Sequence, residues 1–143
     1  MFLPVPELQV ARPQGGEIVW RVPVADGAVV DLNYVNSLYD APTTERFVVA
    51  GSQLRLTEIS STKRAVLEYL VLEPPYEERD DRVVSRRRGP VFNDLTVRIG
   101  LTGQQRLVVG GREWPLYEVG TGEAVVLRVA RTPRLLAFLR RTP

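Results

Sequence analysis

Histidine and cysteine are both absent from the 143-residue chain, and Lys63 is the one lysine among 19 basic residues. Without cysteine there is no disulfide framework and no thiolate nucleophile, and the redox character of the compartment leaves no trace. Without histidine the commonest general base and the commonest transition-metal ligand are both missing. Acidic residues number 17, so the net charge is only +2. So even a balance gives none of the concentrated basic stripe that nucleic-acid binders carry, and no nucleic-acid partner is expected. No apolar run approaches the roughly 20 residues that cross a bilayer as a helix. The stretch Met1-Phe2-Leu3-Pro4-Val5-Pro6 is too short for a signal peptide and is compatible with the trimmed end of one.

What is present is a run of short alternating segments. The length suits a single domain over residues 1–143, able to bury a core without metal or disulfide staples. Glu7 to Arg12 and Glu17 to Val22, joined by Gly15-Gly16, predict an opening hairpin. Asp26-Gly27 then turns the chain into a β-meander from Val29 to Ile59. Within it Val30, Leu32, Tyr34 and Asn36 alternate with Asp31, Asn33 and Val35, and Glu45, Phe47 and Val49 alternate with Arg46 and Val48, which is the period-two pattern of half-buried strands. Pairing these two segments symmetrically about the Tyr39-Asp40-Ala41-Pro42 loop places Tyr34 opposite Phe47, Leu32 opposite Val49 and Asn36 opposite Glu45. Gly51-Ser52 predicts a tight two-residue turn, after which Val49 faces Leu54, Phe47 faces Leu56 and Glu45 faces Glu58.

Beyond Ile59 the pattern weakens. Ser60-Ser61-Thr62 suits a loop or a helix N-cap. Lys63 to Glu73 suits a short helix or a strand continuing the meander, and its neighbours favour the strand. Pro74-Pro75 ends that element. The charge-dense stretch from Glu77 to Arg88 fits a solvated strand and loop whose arginines meet the preceding acids, in preference to a phosphate patch. Leu95, Val97 and Ile99 form a further strand, Leu107 pairs with Trp114 across a Gly110-Gly111 hairpin turn, and Ala124 to Val129 form the last long strand. Thr132-Pro133 resembles a helix N-cap and first turn, with Arg134 to Arg141 as a short terminal helix. The fold class is therefore all-β, an antiparallel β-sandwich or flattened barrel built of hairpins, with a short C-terminal helix.

The stretch Tyr34 to Phe47, together with Leu54-Arg55-Leu56-Thr57-Glu58 and Arg106 to Glu113, resembles the core motif of the bacterial domain of unknown function 1850 family. The resemblance spans most of the chain, from about Glu7 to Arg141. Members usually carry a histidine where this chain has Asn36, so an imidazole with two carboxylates becomes an amide with two carboxylates. Family members commonly carry an apolar N-terminal segment and are encoded beside tripartite transporters of the TRAP type with a TAXI solute receptor. The resemblance thus implies an extracytoplasmic location, membrane proximity through a missing N-terminal segment, and transporter components as partners. It implies no activity.

Asn36, Ser37, Glu45 and Glu58 are the candidate ligand-binding residues. Two carboxylates directly opposite each other repel, so the pair needs a shared proton, a cation or an arginine. Hard oxygen donors suit Ca²⁺ or Mg²⁺ better than zinc, and the ligand expected is a small cation or anion. The plainer reading has Glu45 and Glu58 held by an arginine, Arg64 or Arg88, and Asn36 tying down the loop through backbone groups. Ser37 has no histidine partner, and no Gly-x-Ser-x-Gly or Gly-rich phosphate loop occurs, so neither an enzyme nor a cofactor is expected. Two functions stay open: a non-catalytic accessory domain binding a small ligand or ion, and a structural interaction module meeting a partner through an edge strand or loop.

Overall fold

The computed structural model describes residues 4–70, 72–120 and 122–133. Its strands are β1 (Pro4–Ala11), β2 (Ile18–Pro23), β3 (Val29–Asn36), β4 (Ala41–Ala50), β5 (Gln53–Ser61), β6 (Glu77–Arg79), β7 (Arg82–Arg86), β8 (Val91–Phe92), β9 (Asp94–Arg98), β10 (Arg106–Val109), β11 (Arg112–Pro115) and β12 (Ala124–Pro133), and a short helix α1 (Arg64–Tyr69) follows β5. All strand pairs are antiparallel. One sheet has the order β2-β1-β12-β9; the other runs β11-β10-β3-β4-β5-β7-β6, with β8 also on β5. The expected all-β sandwich of hairpins is thus the architecture observed.

The alternation in sequence becomes the inner faces of the two sheets. Leu8, Val10, Val97, Val125 and Leu127 from the smaller sheet share one buried cluster with Val30, Leu32, Phe47, Val49, Leu54 and Leu107 from the larger. Trp20 of β2 and Trp114 of β11 meet at a centroid distance of 5.6 Å, joining an edge strand of one sheet to an edge strand of the other. The hairpin turns follow their glycines. Ala50 pairs with Gln53 across Gly51-Ser52, and Val109 pairs with Arg112 across Gly110-Gly111, whose φ values of +58° and +76° are those of a tight hairpin turn.

Three expectations are corrected. The β3–β4 register differs by four residues: Tyr34 faces Thr43, Leu32 faces Glu45 and Asn36 faces Ala41. The cause is a tight turn over residues 37–40, which makes Ala41 to Thr44 strand instead of loop. An even slip keeps every side chain on its expected face. The run after Lys63 is helical, not a strand, with Val66 and Leu67 buried on α1 and Arg64 donating to Glu68 one turn on. Finally, β12 extends to Pro133, so Thr132-Pro133 belong to a strand instead of a helix start. The terminal helix expected over Arg134 to Arg141 lies outside the described residues.

Candidate binding cleft

Asn36 and Ser37 are turn residues. The Asn36 Oδ1 accepts hydrogen bonds from the backbone N–H of Leu38 at 3.1 Å and Tyr39 at 3.2 Å, which closes the β3–β4 turn as an Asx cap. Ser37 is exposed at its tip. Asp40, at φ +50°, completes the reversal. Asn36 therefore ties down the loop, as its plainer reading held.

Glu45 and Glu58 do not meet. Val49–Leu54 and Phe47–Leu56 pair as the Gly51-Ser52 turn dictates, but a β-bulge lies between Phe47 and Arg46, so Arg46 faces Glu58 and Glu45 faces Ile59. The extra residue is Thr57, whose hydroxyl donates to the Arg46 carbonyl at 3.2 Å. One inserted residue moves Glu58 to the opposite face of the sheet. The amide and two carboxylates expected to form a hard-oxygen ligand set are accordingly dispersed: one in a turn, one on the inner face and one on the outer.

On the outer face Glu58 joins a cross-strand ladder of alternating charge. Asp31 receives a forked guanidinium from Arg46, with bonds of 2.9 and 3.1 Å. Glu58, only 8% exposed, receives another from Arg79 at 3.2 and 2.8 Å. Arg46 and Arg86 each approach Glu58 to 3.9 Å, and Arg86 is also ion-paired with Glu77. Hydrogen bonding to these carboxylates holds the Arg46 and Arg79 guanidiniums more firmly charged than free arginine. The partner of Glu58 is thus Arg79 rather than Arg64 or Arg88. Arg64 instead pairs with Glu68 and lies over the Tyr76 ring. Of the arginine run, Arg86 meets a preceding acid of the same stretch, Glu77.

On the inner face Glu45 is treated differently. Its Oε2 accepts a 2.6 Å hydrogen bond from the Tyr34 hydroxyl, and among the described residues no lysine or arginine pairs with it. Burial raises the Glu45 pKa above the ordinary glutamate value, opposed by the Tyr34 bond; the Tyr34 phenol is itself pushed up, by burial first and by the neighbouring carboxylate second. The pair sits in a cleft of about 220 Å³ between the two sheets. Leu32, Tyr34 and Glu45 form one wall, residues 95–98 of β9 form the other, and Gln105 stands at the end with its Oε1 accepting from Gly100 N–H. Tyr34 was assigned by sequence only to packing. The signal for more was its phenol following Val30 and Leu32 on the inward face of β3, since a buried tyrosine hydroxyl requires a partner.

A larger depression at Arg12, Pro13, Gln14, Glu123 and Ala124 has its charges engaged in the Arg12–Glu123 and Arg12–Glu17 ion pairs. Among the described residues no three acidic side chains gather as a metal-holding group. Comparison of the chain with family models, curated proteins and solved structures returns no match.

Proposed function

We infer that this chain is a non-catalytic binding domain, and that Glu45 in the cleft between β9 and the inner face of the larger sheet is its binding group. The observation that carries the reading is the contrast among three semi-buried carboxylates. Asp31 and Glu58 are each neutralised by a forked arginine of the chain itself, whereas Glu45 is held by a neutral phenol at one oxygen, beside open space. A partly buried carboxylate without a cation favours a cationic or hydrogen-bond-donating guest. Among the described residues lining the cleft Glu45 is the one carboxylate, so no acid–base carboxylate pair stands there, which supports binding over catalysis. The setting implied by the family resemblance, outside the cytoplasmic membrane beside a TRAP-type transporter, is the one we propose for it.

Thermal melts with butylammonium, methylguanidinium, Mg²⁺, Ca²⁺ and succinate test this. A guest that binds only the folded state raises the melting temperature, by the equivalent of about 2.7 kcal/mol at a hundred times its Kd. The expected result is a rise with at least one of the cations that disappears in Glu45→Gln. Equal responses of the two proteins to every compound would remove Glu45 as the binding group.

A further inference from the structure

The occupant of the Glu45 cleft can be specified further, resting on the reading of that cleft as the binding place. Among the described residues β9 is an edge strand of the smaller sheet, paired only with β12. Ile99 donates to Glu123 and accepts from Gly122, so the backbone groups of Ile99, Val97 and Leu95 turn toward β12. Those of Arg98, Thr96 and Asp94 turn the other way, because successive residues of a strand alternate. Among the described residues none of these outward N–H or C=O groups has a hydrogen-bond partner. The cleft is lined by the consecutive residues Leu95, Thr96, Val97 and Arg98, which include both the inward-facing and the outward-facing side chains, so its wall is the free edge itself. Across it stand Leu32, Tyr34 and Glu45.

We propose that the cleft receives an extended segment of a partner polypeptide, added to β9 as a fifth strand of the smaller sheet, with a lysine or arginine side chain turned in to Glu45. A new strand would lie about 4.8 Å beyond β9, over the inner face that carries Glu45. Its backbone would satisfy the Thr96 and Arg98 groups and supply affinity, while alternate side chains would face the larger sheet and supply selectivity. Charge picks the inward residue. The Oε2 of Glu45 is taken by Tyr34, its Oε1 has no hydrogen bond among the described residues, and the nearest cation lining the cleft, Arg98, occupies an outward position of β9 between buried Val97 and Ile99. An incoming ammonium or guanidinium would give Glu45 what Arg46 gives Asp31 on the opposite face.

The test uses the full chain labelled with ¹⁵N and the peptide acetyl-Thr-Val-Thr-Lys-Thr-Val-Thr-amide. Its controls are the same peptide with Glu for Lys, and a third with its threonine amides N-methylated. The expected result is slowed hydrogen exchange at the Thr96 and Arg98 amides on adding the lysine peptide, with affinity about tenfold weaker for the glutamate peptide and abolished by N-methylation. Glu45→Gln should erase the lysine preference while leaving the backbone protection. Thr96→Pro should abolish peptide binding yet fold, because proline is tolerated on an edge strand where the N–H faces away from the ladder. Three outcomes overturn the proposal: cation binding at Glu45 with no peptide effect at β9, protection of Thr96 and Arg98 in the free chain at every concentration, or protection that grows with protein concentration alone. The first leaves a small-molecule site, the second assigns the edge to the chain itself, and the third to a second copy.

Discussion

The residue that distinguishes this chain is Glu45, and its partner Tyr34 makes its behaviour measurable. Burial disfavours the ionised carboxylate, so the folded state holds its proton to a higher pH than the unfolded chain does. The stability contributed by Glu45 is therefore full below the ordinary glutamate pKa of 4.5 and is lost as pH rises through the raised folded value. Glu45→Gln is permanently neutral and keeps an oxygen for the Tyr34 hydroxyl. It should melt higher than the unmodified chain at pH 7, with the gap closing as pH falls below 4.5. A glutamine variant that melts lower at pH 7 would show that the charge itself organises the cleft. Tyr34→Phe removes the one bond that pulls the Glu45 pKa down. The carboxyl titration followed by ¹³C NMR should move to higher pH, and the fold should lose about 2 kcal/mol at neutral pH, the scale of a hydrogen bond to a charged group.

At the scale of elements, the hairpins were legible where a glycine fixes the turn and illegible where a bulge intervenes. Gly51-Ser52 and Gly110-Gly111 set the pairings Val49–Leu54 and Leu107–Trp114 correctly because two-residue loops leave no freedom of register. Pairing about a Tyr39-Asp40-Ala41-Pro42 loop with the strand taken from Glu45 left Thr43-Thr44 out of the strand, yet Thr43 is 1% exposed and bonds Ser61 across the strands. That misreading hid the turn at residues 37–40. Nothing local announces Thr57 as a bulge, and the candidate site depended on its absence. The neighbouring chain adapts to the same stretch of β5. Glu58 faces Arg86 but Arg55 faces Val91, so three steps on β5 are matched by five on the other side, and the slack is held at Arg87 to Pro90. Arg87 N–H donates to Thr57 O, Gly89 N–H to Leu56 O, and Leu56 N–H to Pro90 O. A Cβ on Gly89 would stand 2.7 Å from the Leu56 carbonyl oxygen and 3.1 Å from its Cβ. Gly89→Ala should therefore lift this segment from β5, lowering stability in urea titration by about 1–3 kcal/mol and speeding exchange of the Leu56 amide. A change under about 0.5 kcal/mol, within the range of an ordinary surface substitution, would mean the crossing tolerates displacement.

Across the whole molecule, the pairings that sequence could not supply are those between distant segments. β1 and β12 pair from Pro4–Pro133 to Ala11–Val126, bringing the two ends of the described chain into the centre of the smaller sheet. Periodicity identifies each strand but carries no information about a partner more than a hundred residues away. This closure also decides how the molecule should unfold. Leu127 of β12 and Phe47 of β4 are 0% and 1% exposed and belong to the same cluster, although they come from different sheets. If that cluster is one cooperative core, as a single domain requires, a cavity on either side must weaken the whole. Leu127→Ala should cost about 2–5 kcal/mol and Phe47→Ala about 3–5 kcal/mol, each lowering the melting temperature by roughly 2–4 °C per kcal/mol. Both should keep one transition, coincident between far-ultraviolet circular dichroism and the near-ultraviolet signal of Trp20 and Trp114, whose tilted ring contact joins the sheets. Two separated transitions, with Leu127→Ala moving one and Phe47→Ala the other, would instead divide the sandwich into independently folding sheets, and the cleft between them would have no fixed width for Glu45 to select a guest.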